Sequence, residues 1–264
     1  MSSALIGFSG FVGGTLLKQA RFDALYRSTT IQDIRGREFD VLVCAGAPAQ
    51  KWLANRAPDE DKQKIDCLID ALRSVRCKTF ILISTVDVFK VPLKVDENTP
   101  VEEQGLLPYG LHRRLLEKFV AEQFPHSLIV RLPGLVGPGL RKNVIFDFLN
   151  HNNLQVIDSR AIFQFYPMVN LWNDIQMALQ AGLSLVHLTA APIAVEQVSL
   201  LGFGREFTQQ LSAEPARYDM RSLYASLFGG QEPYQYSLRE TVQAIRAYAQ
   251  SEEVRHDQFF EGRL

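Results

Sequence analysis

The sequence predicts an α/β fold: a doubly wound parallel sheet carrying a small C-terminal lobe. Three observations carry that prediction. Short apolar runs without polar alternation are separated by longer amphipathic stretches through the first two thirds of the 264 residues, as buried parallel strands and their covering helices require. A glycine-rich turn sits between the first such run and the first amphipathic stretch. After Leu132 this rhythm gives way to the breakers Pro133-Gly134 and Gly137-Pro138-Gly139, which mark a change of architecture.

Taken in order, Ala4-Leu5-Ile6 reads as the first strand and Val12 to Ala20 as the first helix. Ala24-Leu25-Tyr26 is a second strand and Asp40 to Cys44 a third, followed by the turn-prone Ala45-Gly46-Ala47-Pro48. Helical spacing at Ile65, Leu68, Ile69 and Leu72 places a helix over Asp59 to Val75. Thr79 to Ser84 is a continuous buried-type strand. Leu111, Leu115 and Phe119 share one face of a helix from Tyr109 to Phe124, with Leu116 and Val120 beside them. Ser127 to Leu132 is again a strand. Beyond it come a short helix at Val144 to Leu149, a longer one at Val169 to Gly182, a strand at Leu185 to Leu188 and a terminal helix at Ser237 to Gln250. The stretch from roughly 190 to 236 is irregular, with exposed-looking aromatics. A dinucleotide-binding core is expected over 1–133, with 165–190 returning to it. Residues 134–164 and 191–264 are expected to form the lobe, packed at the strand ends where open α/β sheets bind ligands.

Composition narrows the function. An apolar fraction of 47% with 22% charged residues excludes a disordered chain. With 28 basic against 29 acidic side chains the broad basic surface of a nucleic-acid binder is missing. The three cysteines show no metal-ligand spacing and no disulfide framework, so a reducing compartment is expected, with Cys44 a small core hydrophobe. The uncharged first seventeen residues lack a basic start and contain four glycines, unlike a signal peptide. No apolar run approaches the roughly 18 residues of a spanning helix. The expectation is a cytoplasmic protein with no membrane partner, no nucleic acid and no metal.

Gly7-Phe8-Ser9-Gly10-Phe11-Val12-Gly13 follows the first strand and opens the first helix. Glycines at that spacing let the backbone turn, approach a pyrophosphate and pack helix on sheet, while Ser9, Phe11 and Val12 lie where free N–H groups meet phosphate. Glycines also serve plain tight turns. At the end of the second strand, where an NAD site carries a carboxylate for the ribose 2′-hydroxyl, this chain has Arg27 and Ser28. A guanidinium and a hydroxyl suit a 2′-phosphate, although a solvated surface arginine explains the same residues. Tyr109 and Arg113 project from one helix face, and a fixed cation lowers a phenol toward proton transfer at neutral pH. The plain alternative is a surface tyrosine beside an arginine. Ser84 and Thr85 place hydroxyls at a strand end, for a substrate oxygen or simply to cap the turn.

GFSGFVG at the N-terminus, ISTVDVF at 83–89, VDENTP at 95–100, YGLHR at 109–113 and RLPGLVGPG at 131–139 occur in one order. Over roughly residues 3 to 190 the chain resembles the extended short-chain dehydrogenase/reductases, the epimerase/dehydratase family of nucleotide-sugar enzymes. The resemblance implies a Rossmann-type fold and a nicotinamide cofactor, NADP with NAD as the alternative. Gly7, Gly10 and Gly13 match the dinucleotide loop, Thr85 the active-site Ser/Thr and Tyr109 the catalytic tyrosine. Ala45 and Gly46, with Ala47 beside them, match the segment after the family's fourth strand that lies along the cofactor. Pro133 and Gly134 match the passage beside the nicotinamide after its sixth. Arg113 stands at the lysine of the family's YxxxK; it keeps the charge and the reach to ribose but cannot deprotonate.

The expected function is therefore an NADP-dependent oxidoreductase acting on a carbinol or ketone of a sugar nucleotide or related polyol, with Tyr109 exchanging the proton. A nucleotide-sugar 4-epimerase or dehydratase holding its cofactor tightly is the rival enzyme, and a non-catalytic NAD(P)-binding sensor or scaffold the rival of another class. Strand alternation past Ser84 would place Asp87 on the face of Thr85, able to orient a hydroxyl or move a proton. Val86 between them lacks the acid of a dehydratase pair. A homodimer follows by family analogy only.

Overall fold

The computed structural model describes residues 2–254, so the end of the expected lobe, 255–264, lies outside the described residues. Six strands, β1 (Ser3–Ile6), β2 (Ala24–Tyr26), β3 (Glu38–Cys44), β4 (Arg76–Thr85), β5 (Ser127–Leu132) and β6 (Leu185–His187), form one sheet in the order β6-β5-β4-β3-β1-β2. Every neighbouring pair is parallel. Successive side chains leave opposite faces, and both faces are covered. Ala4, Ile6, Leu42, Cys44, Phe80 and Leu82 pack beneath α3 (Pro58–Leu72) and α4 (Pro108–Gln123). Leu5, Val43, Ile81, Ile83 and Val130 pack beneath α1 (Phe11–Gln19) and α6 (Leu171–Gln180). This two-sided burial is why the strands read as unbroken apolar runs.

The strand order reverses between β1 and β3, and the turns after both open at the same sheet edge. That is the switch point where such sheets bind ligands. Between β2 and β3 the chain forms only the 3-10 turn Ile31–Ile34, leaving β2 at the sheet edge. The Ala45-Gly46 segment therefore follows this chain's third strand, one fewer than the family pattern predicts.

Two features depart from the sequence expectation. A short helix, α2 (Lys51–Arg56), precedes α3, in a stretch with no periodicity to announce it. The aromatics of the irregular region are not exposed: Tyr224, Phe228 and Tyr236 pack against the sheet core, and Phe203 and Phe207 pack around α5 (Val144–Asn150). Outside the main sheet, Gly134–Val136 pairs with Phe165–Pro167, Ile162–Phe163 with Ile193–Ala194, and Leu93–Val95 with Asp219–Met220, so segments of the expected core and lobe interleave. The terminal helix Leu238–Ser251 starts with a capping box between Ser237 and Glu240. Among the described residues no helix is long and apolar enough to cross a membrane.

Candidate active site

The glycine loop divides its labour. Gly7 has φ +84°, and a Cβ there would lie 2.3 Å from the Ala45 carbonyl oxygen, so only glycine lets the turns after β1 and β3 meet. A Cβ on Gly13 would lie 2.1 Å from the Gly7 oxygen, which fixes α1 against the strand end. Gly10 differs. Its Cβ would meet only the Gly7 oxygen, at 3.4 Å, so the fold itself does not require glycine there. Gly10 is also the N-cap of α1, with no side-chain cap and no acidic residue in the first turn. The N–H groups at Phe11, Val12 and Gly13 are thus first-turn donors with no intrahelical acceptor at the positive end of a helix, with Ser9 exposed beside them. That turn fits a pyrophosphate.

The Gly7 N–H donates to the Tyr26 carbonyl at 2.8 Å, which sets the end of β2 beside the loop. Arg27 and Ser28 follow directly and are exposed. The Arg27 backbone is fixed by a turn with Thr30, its N–H donating to Oγ1 at 3.1 Å, while its guanidinium meets no partner among the described residues. Across the switch point, the Ala45 N–H donates to the Ile6 carbonyl at 2.9 Å, and Gly46 stands close to the Ile6 side chain. Ala47 packs on the core beneath α3 and α4. Pro133 ends β5, and a Cβ on Gly134 would lie 2.6 Å from the Gln164 oxygen. The pairing with Phe165 therefore explains this glycine without any ligand.

Thr85, Asp87 and Tyr109 come together, though not as strand alternation foresees. The chain leaves β4 at Thr85 and turns through the 3-10 segment Val86–Val88, with Thr85 Oγ1 accepting the Asp87 N–H at 3.2 Å. It is this turn that holds the two side chains near each other, Thr85 Oγ1 lying 3.5 Å from Asp87 Oδ2. Gly110 lets α4 pack onto the turn, since a Cβ there would lie 1.9 Å from the Asp87 carbonyl oxygen. The Tyr109 phenol consequently stands beside the Thr85 hydroxyl. Burial raises its pKa above the ordinary tyrosine value; Arg113, then Lys51 and a Thr85 hydrogen bond, pull it down without overcoming burial, and Asp87 pushes it up. The free site holds a neutral phenol, not the acidified one the Tyr-Arg pairing alone suggests.

Arg113 pulls against that burial from a fixed position. Its guanidinium is only 3% exposed and forms a two-pronged pair with Asp61 of α3, Nη1 to Oδ2 at 2.5 Å and Nη2 to Oδ1 at 2.8 Å. Nη2 also donates to the Pro48 carbonyl and Nη1 to the Tyr109 carbonyl at 3.2 Å. The group stacks 4.0 Å from the Tyr109 ring centroid. His112 Nδ1 shares Asp61 Oδ2 at 2.7 Å. Burial works to raise the Asp61 carboxyl, but hydrogen bonds from Arg113 and His112 outweigh it and hold it lowered. Arg113 braces three elements with both terminal nitrogens, and its one uncommitted donor, Nε, is enclosed; a longer, planar fork at the lysine position finds a carboxylate to grip.

Sequence reasoning missed Lys51, Asn55 and Tyr218. Lys51, first residue of α2, donates from Nζ to Asp87 Oδ1 at 2.6 Å and to the Tyr218 hydroxyl at 3.0 Å. The Tyr218 hydroxyl lies 3.2 Å from the same Asp87 oxygen. Asn55 accepts the Tyr109 N–H at 3.0 Å, which ties α2 to the start of α4. Lys142 contacts the Ala49 carbonyl on the same side. Tyr218 is delivered by a clasp. The VDENTP segment pairs through Leu93–Val95 with Asp219–Met220, and Glu97 accepts from the Ser222 hydroxyl at 2.7 Å and the Leu223 N–H at 2.9 Å.

A six-stranded parallel sheet wound on both faces by helices, with a glycine loop at its switch point, is a Rossmann-type fold. No protein-family model and no curated protein matches the sequence. Solved structures match the fold over nearly its whole length. A dTDP-4-dehydrorhamnose reductase from Clostridium acetobutylicum superposes with TM-score 0.71 at 15% identity, covering 95% of this chain and 99% of that one. RMD from Pseudomonas aeruginosa, solved with NADPH, gives 0.67 at 17% identity, covering 95% and 99%. WbmG from Bordetella bronchiseptica, solved with NAD, gives 0.74 at 14% identity, covering 96% and 95%.

Proposed function

We propose that this protein is an NADP-dependent oxidoreductase of the extended short-chain type, acting on a carbinol or ketone of a sugar nucleotide or related polyol. The observation that carries the reading is the Tyr109 phenol beside the Thr85 hydroxyl, at the sheet edge that also bears the uncapped α1 turn. The pyrophosphate would rest on the N–H groups of residues 11–13, and Arg27 with Ser28 would meet a 2′-phosphate. The likeness to RMD solved with NADPH, and to a dTDP-4-dehydrorhamnose reductase from Bacillus anthracis solved with NADP, supports the same cofactor. The bound nicotinamide supplies or accepts the hydride. Thr85 holds the reacting oxygen by a hydrogen bond, and Tyr109 passes its proton to that oxygen in reduction or takes one in oxidation. A neutral phenol in the free site suits the reductive direction. The buried Val86 between Thr85 and Asp87 leaves no acid for a dehydratase pair.

One observation favours a second reading, a nucleotide binder without turnover: Arg113 is committed to Asp61 and does not present the family's ribose-binding cation. Cofactor exchange separates the two. A reductase releases nucleotide each cycle, so protein purified without added cofactor should be largely nucleotide-free and should bind NADPH reversibly. Tyr109→Phe should bind NADPH as wild type does while losing turnover by about 10²-fold or more. Nucleotide that survives purification and resists exchange would overturn the reductase reading in favour of an epimerase or a binder.

A further inference from the structure

We propose that Lys51 is the working cation of this site: Arg113 braces the tyrosine, while Lys51, held in place by Asp87 and Tyr218, reaches ligand hydroxyls and steadies the Tyr109 oxygen when it carries charge. The inference rests on the reading of Tyr109 as the proton-exchanging group. It divides between two residues what one lysine does in the family pattern, and it follows from how the two cations are held.

Arg113 has no donor free to reach a ligand. Both terminal nitrogens are bonded to Asp61 and to backbone carbonyls, and the group is buried. Its Nε is enclosed without a protein partner, and a guanidinium that swung outward would leave the buried Asp61 carboxylate with only His112. Lys51 is the opposite case. Its side chain is 42% exposed, and an ammonium has three donors, of which Asp87 and Tyr218 use two. The third is uncommitted on a side chain open to solvent, and so available to a ligand.

The spacing between Lys51 and Tyr109 is set by rigid parts. Asn55, one helical turn along α2, accepts the backbone N–H of Tyr109 itself, so the helix that carries Lys51 is bonded to the residue it serves. Asp87 is fixed in turn by the Thr85 cap. The carboxylate and the ammonium therefore act on the phenol with opposite sign: Lys51 favours the phenolate and Asp87 opposes it. A ligand hydroxyl that takes up Asp87 would leave Lys51 free to act on Tyr109, coupling occupancy of the site to readiness of its acid.

The test follows the ionisation of Tyr109 in ligand-free protein through the alkaline range, by NMR of tyrosine labelled at the ring carbon bearing the hydroxyl, with the signal assigned from its loss in Tyr109→Phe. Lys51→Met should move the titration upward and Asp87→Asn should move it downward, while Lys51→Arg should restore it toward wild type. NADPH titration runs in parallel, where Lys51→Met should weaken binding about tenfold, the worth of one charge-assisted hydrogen bond. A Tyr109 titration unmoved in both Lys51→Met and Asp87→Asn, in protein that binds NADPH normally, overturns the inference and leaves the oxidoreductase reading standing. Absence of NADPH binding in wild type overturns the oxidoreductase reading, whereas the coupling of Lys51 to Tyr109 is still decided by the NMR arm.

Discussion

The two ends of the candidate cleft are built from different material. At the phosphate end the surface is backbone, an uncapped helix turn and glycines, with one unengaged guanidinium at Arg27. At the Tyr109 end the two cations flanking the phenol already have protein partners, Arg113 with Asp61 and Lys51 with Asp87. A ligand meets no protein rival at the first end and competes with formed contacts at the second. The first is thus poised for binding; the second is poised for control, because engaging it rearranges charge.

The largest effect expected is at the paired end. Arg113→Met leaves Asp61 buried with only His112, and should destabilise the protein by about 3–5 kcal/mol in denaturant titration. The sign with pH is fixed. Asp61 is lowered in the folded state, so its stabilisation is present above the ordinary carboxylate value of about 4 and is lost as pH falls through the folded pKa. The stability gap between wild type and Arg113→Met should therefore narrow on acidification. A constant gap would mean that Asp61 is not the partner that matters.

At the phosphate end the glycines should split. Gly13→Ala places a methyl against backbone and should destabilise by about 3 kcal/mol. Gly10→Ala meets no such obstacle and should change stability by less than about 1 kcal/mol. It should nevertheless weaken NADPH binding about tenfold, since the methyl stands where backbone must approach the pyrophosphate. Equal losses of stability in the two variants would show that the loop serves the fold alone.

The smallest effect sharpens the cofactor choice. Arg27→Asp should remove a preference for NADPH over NADH of about 1–3 kcal/mol, read from paired titrations. An unchanged ratio of affinities would assign Arg27 to the surface and return the site to NAD.

How much of this was legible in the sequence follows the same division. The glycine loop declares itself because strand, turn and helix are contiguous and Gly13 is glycine for a reason six residues away, although Gly7 answers to Ala45 across the sheet. The sheet strands are legible because burial on both faces erases alternation. Tyr109 and Thr85 are legible as a pattern, but their electrostatics are not. The partner of Arg113 is Asp61 on another helix, and nothing in YGLHR points to it. Lys51 begins a helix too short to show a period, and Tyr218 lies in an irregular stretch fixed by distant partners, Leu93–Val95 on one side and Ile162 on the other. Two faint signals were present: Gly110 inside a helix, which marks a close approach of backbone, and the acidic VDENTP segment, whose Glu97 turns out to grip the lobe.

That grip has a consequence for the order in which the molecule assembles. Glu97 and Leu223 are 126 residues apart, and their contact closes a long loop that holds the last two strands of the sheet, β5 and β6. Such a closure is entropically late, after the nearer pairings of β3 with β4 and β4 with β5. Tyr218 arrives with the same segment, so the nucleotide cradle can form before the ring that completes the Lys51–Asp87 cluster. The same order should hold in reverse. In native-state hydrogen exchange the amides of 218–223 should open together at lower free energy than those of β3 and β4. A molecule caught in that opened state would still grip a dinucleotide while its proton-handling end stood dismantled, which makes the clasp, and not the cradle, the weakest point of the working protein.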